Sequence, residues 1–259
     1  MGKDDAPWLH DHGEGEDHLT DLVGVLLPTP AVALRAGGLG LAVGAAFAAA
    51  VSRLRRSGMR VAYTRKVFHV GIFNGAAAAH LLWGLSGTNA YGVAVALLVV
   101  AAVLRGEGDG FYEALARGSD RPRRSFFIVV PLVTTAVGGL ASALLVGPFA
   151  SVGYLVTGWG DAVAEPVGAR WGKHPFSVPS LAGVPAQRTF EGSLAVLLVG
   201  WAAAAIALAG VGADAGPPLL LTALACAGVG AAVEAVSHHG TDNLTVQMAV
   251  SLSAAWLAG

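Results

Sequence analysis

Charge is scarce in this chain of 259 residues: Asp, Glu, Lys and Arg make up only 13% of it, while 54% is hydrophobic. A soluble domain of that length carries about twice the charge, so an ordinary water-facing globule is excluded and the surplus apolar surface must face a bilayer. Cysteine is nearly absent. The single Cys226 has no partner for a disulfide and, set in an apolar run, reads as a small core residue. The first 20 residues are acidic and polar, which is not the pattern of a cleavable signal peptide. With a formal net charge of −1 there is no basic surplus, and no nucleic-acid partner is expected.

Apolar sequence of helix length is abundant, and mean hydropathy is +0.62. Spanning ~30 Å of hydrocarbon takes roughly 17 to 25 residues of helix. Runs fit for that recur near 31–51, 67–84, 90–104, 125–146, 149–169, 192–210, 217–236 and 244–258. The expected fold is therefore all-α: a polytopic membrane protein with about eight transmembrane helices in one bundle. The expected domain is 22–259, preceded by a flexible acidic tail, 1–21, carrying His10, His12 and His18. "LVGVLLPTPAVAL" (22–34) has the alternative of an interfacial or re-entrant piece. Alanine and glycine fill many runs, letting helices approach closely in lipid. The GxxxG pair Gly40 and Gly44 reads as packing within the chain rather than as the seam of a homo-oligomer.

The near-zero net charge hides an asymmetry. Of 16 Lys and Arg residues, 14 fall in the stretches 52–66, 105–124 and 170–191. With eight spans these loops, together with 237–243, lie on one side, and the positive-inside rule makes that side cytoplasmic, with the N-terminus outside.

The unusual polar residues map to the same side: "TRKVFH" (64–69), "GDAVAE" (160–165), "GKH" (172–174), "RTFEG" (188–192) and "EAVSHHGTDN" (234–243). A transporter or scaffold more often carries such groups near the midplane or on both faces. Polar groups at one depth suit a site that takes a reactant from the cytosol and meets a lipid from the inner leaflet. Asp161 and Glu165 stand at i and i+4, on one helical stripe, where two like charges repel unless a cation sits between them or a proton is shared. One or two carboxylates plus substrate phosphates is the usual way to hold Mg²⁺, so Asp161 and Glu165 are the metal ligands expected from spacing, and the family resemblance below adds Asp242 to them. Pro166 should kink or end the helix beside the acids. Lys173 and Arg188, with Arg65 and Lys66, supply phosphate-binding charge, and His69 lies one turn on. Glu234 and His238 share a helix face if the seventh span runs that far. Asp242 or Asn243 reads as a helix N-cap, a role compatible with one in the site.

Together "RKVFH", "GDAVAEPVGARWGKH", "RTFEGSLA" and "EAVSHHGTDNLTV" resemble the membrane lipid-alcohol kinases (dolichol kinase, phytol kinase and CTP-dependent diacylglycerol kinase) and, more distantly, phosphatidate cytidylyltransferases. The resemblance spans roughly 64 to 250. It implies phosphoryl transfer from a nucleoside triphosphate, typically CTP, to the hydroxyl of an isoprenoid or lipid alcohol. It places Asp161 and Glu165 in the metal and nucleotide site, Lys173 and Glu191 in a nucleotide loop, and Glu234, Asp242 and Asn243 in the last motif. The expected catalytic residues are Asp161, His69, Asp242 and Glu234, with His69 as the general base. Expected to bind nucleotide and substrate are Arg65, Lys66, Lys173, Arg188, Glu191, His238 and Asn243. Relatives commonly have Lys where this chain has Arg188. The cytidylyltransferase reading wants H-G-G followed by paired Asp residues, and "SHHGTDNL" supplies one HG and one Asp, which favours the kinase. A non-enzymatic transporter or scaffold is the third reading.

Overall fold

The computed structural model describes residues 23–181, 186–213, 216–238 and 240–258. The tail 1–21, with its three histidines, and His239 lie outside the described residues. After a helical turn at 23–26 come α1 (Pro30–Arg56), α2 (Val61–Arg105), the short α3 (Gly110–Leu115), α4 (Phe126–Val146), α5 (Ala150–Trp171), α6 (Phe190–Gly210), α7 (Pro217–Val236) and α8 (Asp242–Ala258). Between α5 and α6, where a plain loop was expected, strands β1 (Pro175–Val178) and β2 (Ala186–Thr189) pair antiparallel, Pro175 opposite Thr189 and Val178 opposite Ala186.

Five helical stretches are long and apolar enough to cross a membrane: Val23–Arg56, Val61–Arg105, Phe126–Trp171, Phe190–Gly210 and Pro217–Val236. Large apolar side chains cover the outside, among them Leu34, Leu104, Leu221 and Trp256, each more than half exposed. A protein surrounded by water does not present such a surface, and the chain is a helical, multi-pass membrane protein.

Two of these stretches double back. Gly84 has φ 63° and ψ −157°, a conformation open in practice to glycine alone. There α2 reverses, which brings Tyr91 against Gly75, a pair that would lie roughly 24 Å apart in a straight helix. His80 pins this corner, one ring nitrogen against Thr88 (3.0 Å) and the other against the Gly147 carbonyl (2.9 Å). The second reversal is the 3₁₀ turn Gly147–Phe149 between α4 and α5, beyond which the Tyr154 hydroxyl donates back to the Gly139 carbonyl (2.8 Å). Gly40 and Gly44 face the second limb of α2, at Tyr91, Ala94 and Leu98. The GxxxG pair is an intramolecular seam.

Helix α5 is the hub, and every residue from Ala150 to Gly158 is buried. Its glycines give neighbouring helices room: Gly158 lies under Phe73 of α2, Gly160 under Val196 of α6, and Gly153 against Ser251 and the Gln247 backbone of α8. Close backbone approach through small residues is the main means of holding helices together in lipid. Cys226 is fully buried in the core, as expected. Polar cross-ties fix the remaining register. Asn243 donates to the Thr135 hydroxyl (2.8 Å), joining α8 to α4, and Trp159 donates to Asn74 (3.2 Å), joining α5 to α2.

Two expectations about helix ends change. Of the kink or end expected at Pro166, the end is excluded, since the helix runs on to Trp171. In the other direction α7 ends at Val236, before His238, so Glu234 and His238 do not share a helix face. Ser237 terminates it, its backbone amide and hydroxyl both turned back to the Val233 carbonyl (2.9 and 2.6 Å).

Candidate functional site

The helices extend past their apolar runs by one or two polar turns, and at one end of the bundle those turns meet. Helix α2 starts at Val61, so Arg65, Lys66 and His69 lie on its first turns rather than in a loop. Asp161 and Glu165 lie on the last turns of α5, Glu234 on the last turn of α7 and Asp242 at the start of α8. Between these ends lies a cavity of about 400 Å³.

Its polar lining holds two ion-pair clusters. In the first, Lys66 Nζ donates to Asp161 Oδ1 at 2.7 Å, and His69 Nε2 lies 3.4 Å from the other oxygen of that carboxylate. Three cations converge on one oxygen, Glu165 Oε2: Arg117 at 3.0 Å, Arg65 at 3.5 Å and Lys66 at 3.8 Å. The repulsion between Asp161 and Glu165 is thus answered by side chains of the protein itself. In the second cluster Arg188 bridges two carboxylates, one nitrogen 3.2 Å from Glu234 Oε1 and the other 3.1 Å from Asp242 Oδ2. A lysine ammonium does not span two acids with the same planar fork, which gives the arginine here a structural use. Asp242 also accepts from the Asn243 amide (3.1 Å), but both residues lie inside the first turn of α8, so neither is the N-cap that the sequence suggested.

The cavity is also lined by apolar side chains: Phe68, Ile72 and Phe73 from the first limb of α2, Val99 from its second limb, and Phe127, Ile128 and Leu132 from α4. His69 touches both sets, its ring tilted against Phe73 at 4.4 Å.

Of the residues the sequence pointed to, Arg65, Lys66, His69, Asp161, Glu165, Arg188, Glu234, Asp242 and Asn243 line this cavity, and Lys173, Glu191 and His238 do not. Lys173 is exposed beyond the end of α5, His238 is exposed past α7, and Glu191, on the first turn of α6, pairs with His174 at 2.7 Å. The sequence reading missed Arg117, which had been grouped with the basic residues of the 105–124 loop as a topological anchor. Its one distinguishing signal was its place directly after the apolar helix "GFYEAL", apart from the run at 121–124.

Among the described residues no three His, Cys, Asp or Glu side chains close in on a common point tightly enough to hold a metal alone. The donors are nevertheless suited to a hard cation. Glu234 Oε2 is buried and without a hydrogen-bond partner, as is the Thr157 hydroxyl, and both flank a small void shared with Asp161 and Asp242. Oxygen donors of this kind suit Mg²⁺ once phosphate oxygens complete the shell.

The class is therefore a multi-pass helical membrane protein with an ion-paired site at one end of the bundle, lined also by apolar side chains. Compared with known proteins, the chain is similar to a phytol kinase of Synechocystis sp., 34% identical over 118 residues, which are 46% of this chain and 48% of that protein. The match spans about half the length of that relative. No family model matches the chain, and no solved structure is similar to it.

Proposed function

We propose that the protein is a membrane kinase that transfers the γ-phosphoryl group of a nucleoside triphosphate, with CTP as the expected donor, to the hydroxyl of an isoprenoid alcohol. The observation that carries this reading is that one cavity is lined both by the ion-paired clusters and by apolar side chains, with His69 touching Asp161 on one side and Phe73 on the other. The similarity to a phytol kinase supports it. An alcohol with an alkyl tail places the tail against Ile72, Phe73 and Leu132 and its hydroxyl at His69. The triphosphate lies along Arg65, Lys66 and Arg188. The site faces the cytoplasm by the positive-inside rule. Eight crossings follow if the reversals at Gly84 and Gly147–Phe149 each return the chain through the bilayer and the 17-residue α8 crosses as well.

In the transfer, the alcohol oxygen forms a bond to the γ-phosphorus while the bond to the β,γ-bridging oxygen breaks, and the nucleoside diphosphate leaves. Lys66, Arg65 and Arg188 hold the phosphate oxygens, and charge stabilisation with alignment is most of what such a step needs. His69, oriented by Asp161 and by its contact with Phe73, takes the alcohol proton. Asp161, with Glu165 or Asp242, would hold Mg²⁺, which neutralises triphosphate charge when bound. The apolar lining keeps water from competing as the acceptor.

The test is an assay with purified protein, Mg²⁺, CTP labelled at the γ- or the α-phosphorus or γ-labelled ATP, and a panel of phytol, longer polyprenols, diacylglycerol and phosphatidate. Label is expected in an isoprenoid monophosphate, and Asp161→Asn should lower the rate by about 100-fold or more. Transfer of label from the α-position would instead assign a cytidylyltransferase. Absence of labelled lipid with every pair would overturn the reading.

A further inference from the structure

The segment 106–125 is built with more care than a connector between α2 and α4 requires. Asp109 caps α3 by accepting from the Phe111 and Tyr112 amides, both at 2.9 Å. The segment is tied to the helix ends beneath it: Thr64 donates to the Ala114 carbonyl at 2.7 Å and Arg55 to the Glu113 carbonyl at 3.2 Å. At its centre is Arg124, only 6% exposed. It grips Glu113 with two nitrogens (3.2 and 2.7 Å), donates to the Ala116 carbonyl (3.0 Å) and the Arg117 carbonyl (3.2 Å), and stacks over Tyr112. The backbone at 116–117 is thus clamped, and the side chain that leaves that clamp is Arg117, which enters the cavity.

Arg117 is largely buried, and its Nε has no hydrogen-bond partner. Its one carboxylate, Glu165, is shared with Arg65 and Lys66. A buried guanidinium nitrogen without a partner, beside a carboxylate oxygen divided among three cations, is a place where a further anionic acceptor fits.

We infer that Arg117 is a phosphate ligand of the nucleotide, that Arg124 is the positioning residue that aims it, and that Glu165 occupies Arg117 until the polyphosphate arrives. This rests on the kinase reading and extends it to a residue outside the resemblance motifs. The fork of an arginine suits two oxygens of one phosphate.

The test uses full-length protein in detergent or vesicles. Rates are measured over a range of nucleotide at fixed alcohol and the reverse, for wild type, Arg117→Ala, Arg117→Lys and Arg124→Lys. In Arg117→Ala the nucleotide KM should rise about tenfold or more, with the alcohol KM within about twofold of wild type and partial rescue by added guanidinium. Arg124→Lys keeps its charge but loses the fork, and should move the nucleotide KM in the same direction by less. An unchanged nucleotide KM, or equal shifts in both KM values, overturns the inference. Should Arg117→Ala fail to fold, Arg117→Lys carries the test. Binding of inorganic triphosphate, measured without alcohol, separates the two claims: weaker binding in the Arg117 variants upholds this inference even if no alcohol is phosphorylated, and equal binding sinks it whatever the activity.

Discussion

Lys66 is the least accessible charge in the first cluster, with its side chain 5% exposed and its ammonium 2.7 Å from Asp161. Removing one partner of a buried pair costs more than the pair contributes, because the remaining charge keeps its desolvation penalty. Lys66→Ala should therefore destabilise the protein by about 3 kcal/mol, read as a lowered thermal midpoint in detergent. The double variant Lys66→Met with Asp161→Leu should recover much of that midpoint while leaving no kinase activity. Recovery of both would mean that the pair is scaffold alone. Most of this cluster was legible in the chain: an acid pair at i, i+4 and an Arg-Lys pair stand out where charge is rare. Arg117 was not legible, because its partner lies 48 residues away and a loop arginine bears no mark of what it faces. Lys173 and Glu191 illustrate the converse, since both sit beside a motif in the chain yet do not line the cavity. Lys173 is exposed between α5 and β1, and Glu191, on the first turn of α6, is taken up by His174.

Among the elements, the helices were legible as apolar runs, but their ends were not. Hydropathy falls where α2 and α5 enter the site, and the runs near 67–84 and 149–169 stop short of helices that continue through Arg65 on one side and Arg170 on the other. Backbone hydrogen bonding does not end where lipid does. The packing of α5 on α8 gives a sharp prediction, since a Cβ at Gly153 meets Ser251 and the Gln247 backbone. Gly153→Val should cost about 3 kcal/mol by overpacking, reducing the folded yield in detergent. Gly228→Val, where no atom lies within 4 Å, should leave the yield unchanged. The 106–125 segment adds a pH dependence. The hydrogen bond from Arg124 holds the Glu113 carboxyl below its ordinary pKa, against the effect of burial. A depressed carboxyl contributes stability above its unfolded pKa and loses it as the pH falls through the folded one. The thermal midpoint should drop on acidification below about pH 4, and Glu113→Gln should flatten that part of the curve.

At the scale of the whole molecule, the asymmetric basic loops anticipated the gathering of polar stretches at one end. Cross-links between those stretches bear this out: Arg55 to Glu113, Arg117 to Glu165, Arg188 to Asp242 and Thr134 to the Gly240 carbonyl. Sequence asymmetry predicts which ends share a face, whereas the hairpin contacts at Gly84 and Gly147 come only from three-dimensional packing. Because Cys226 is buried and is the chain's single cysteine, replacing it with Ala gives a background for labelling. Cysteines placed at Ser57, Ser119 and Ser177 should react with an impermeant thiol reagent from one side of sealed vesicles, and a cysteine at Pro148 from the other. Reaction of Pro148→Cys from the same side as the other three would refute the antiparallel arrangement of α4 and α5.

The pairing of Lys66 with Asp161 also carries a consequence for synthesis, since the two are 95 residues apart. At about 5–20 residues per second, the ribosome needs roughly 5–20 s to supply the acid after the ammonium has emerged. Until then Lys66 must reach toward the headgroups on its flexible stem. The link between Lys66 and Asp161 is thus one that the first half of the bundle cannot make until α5 is in place.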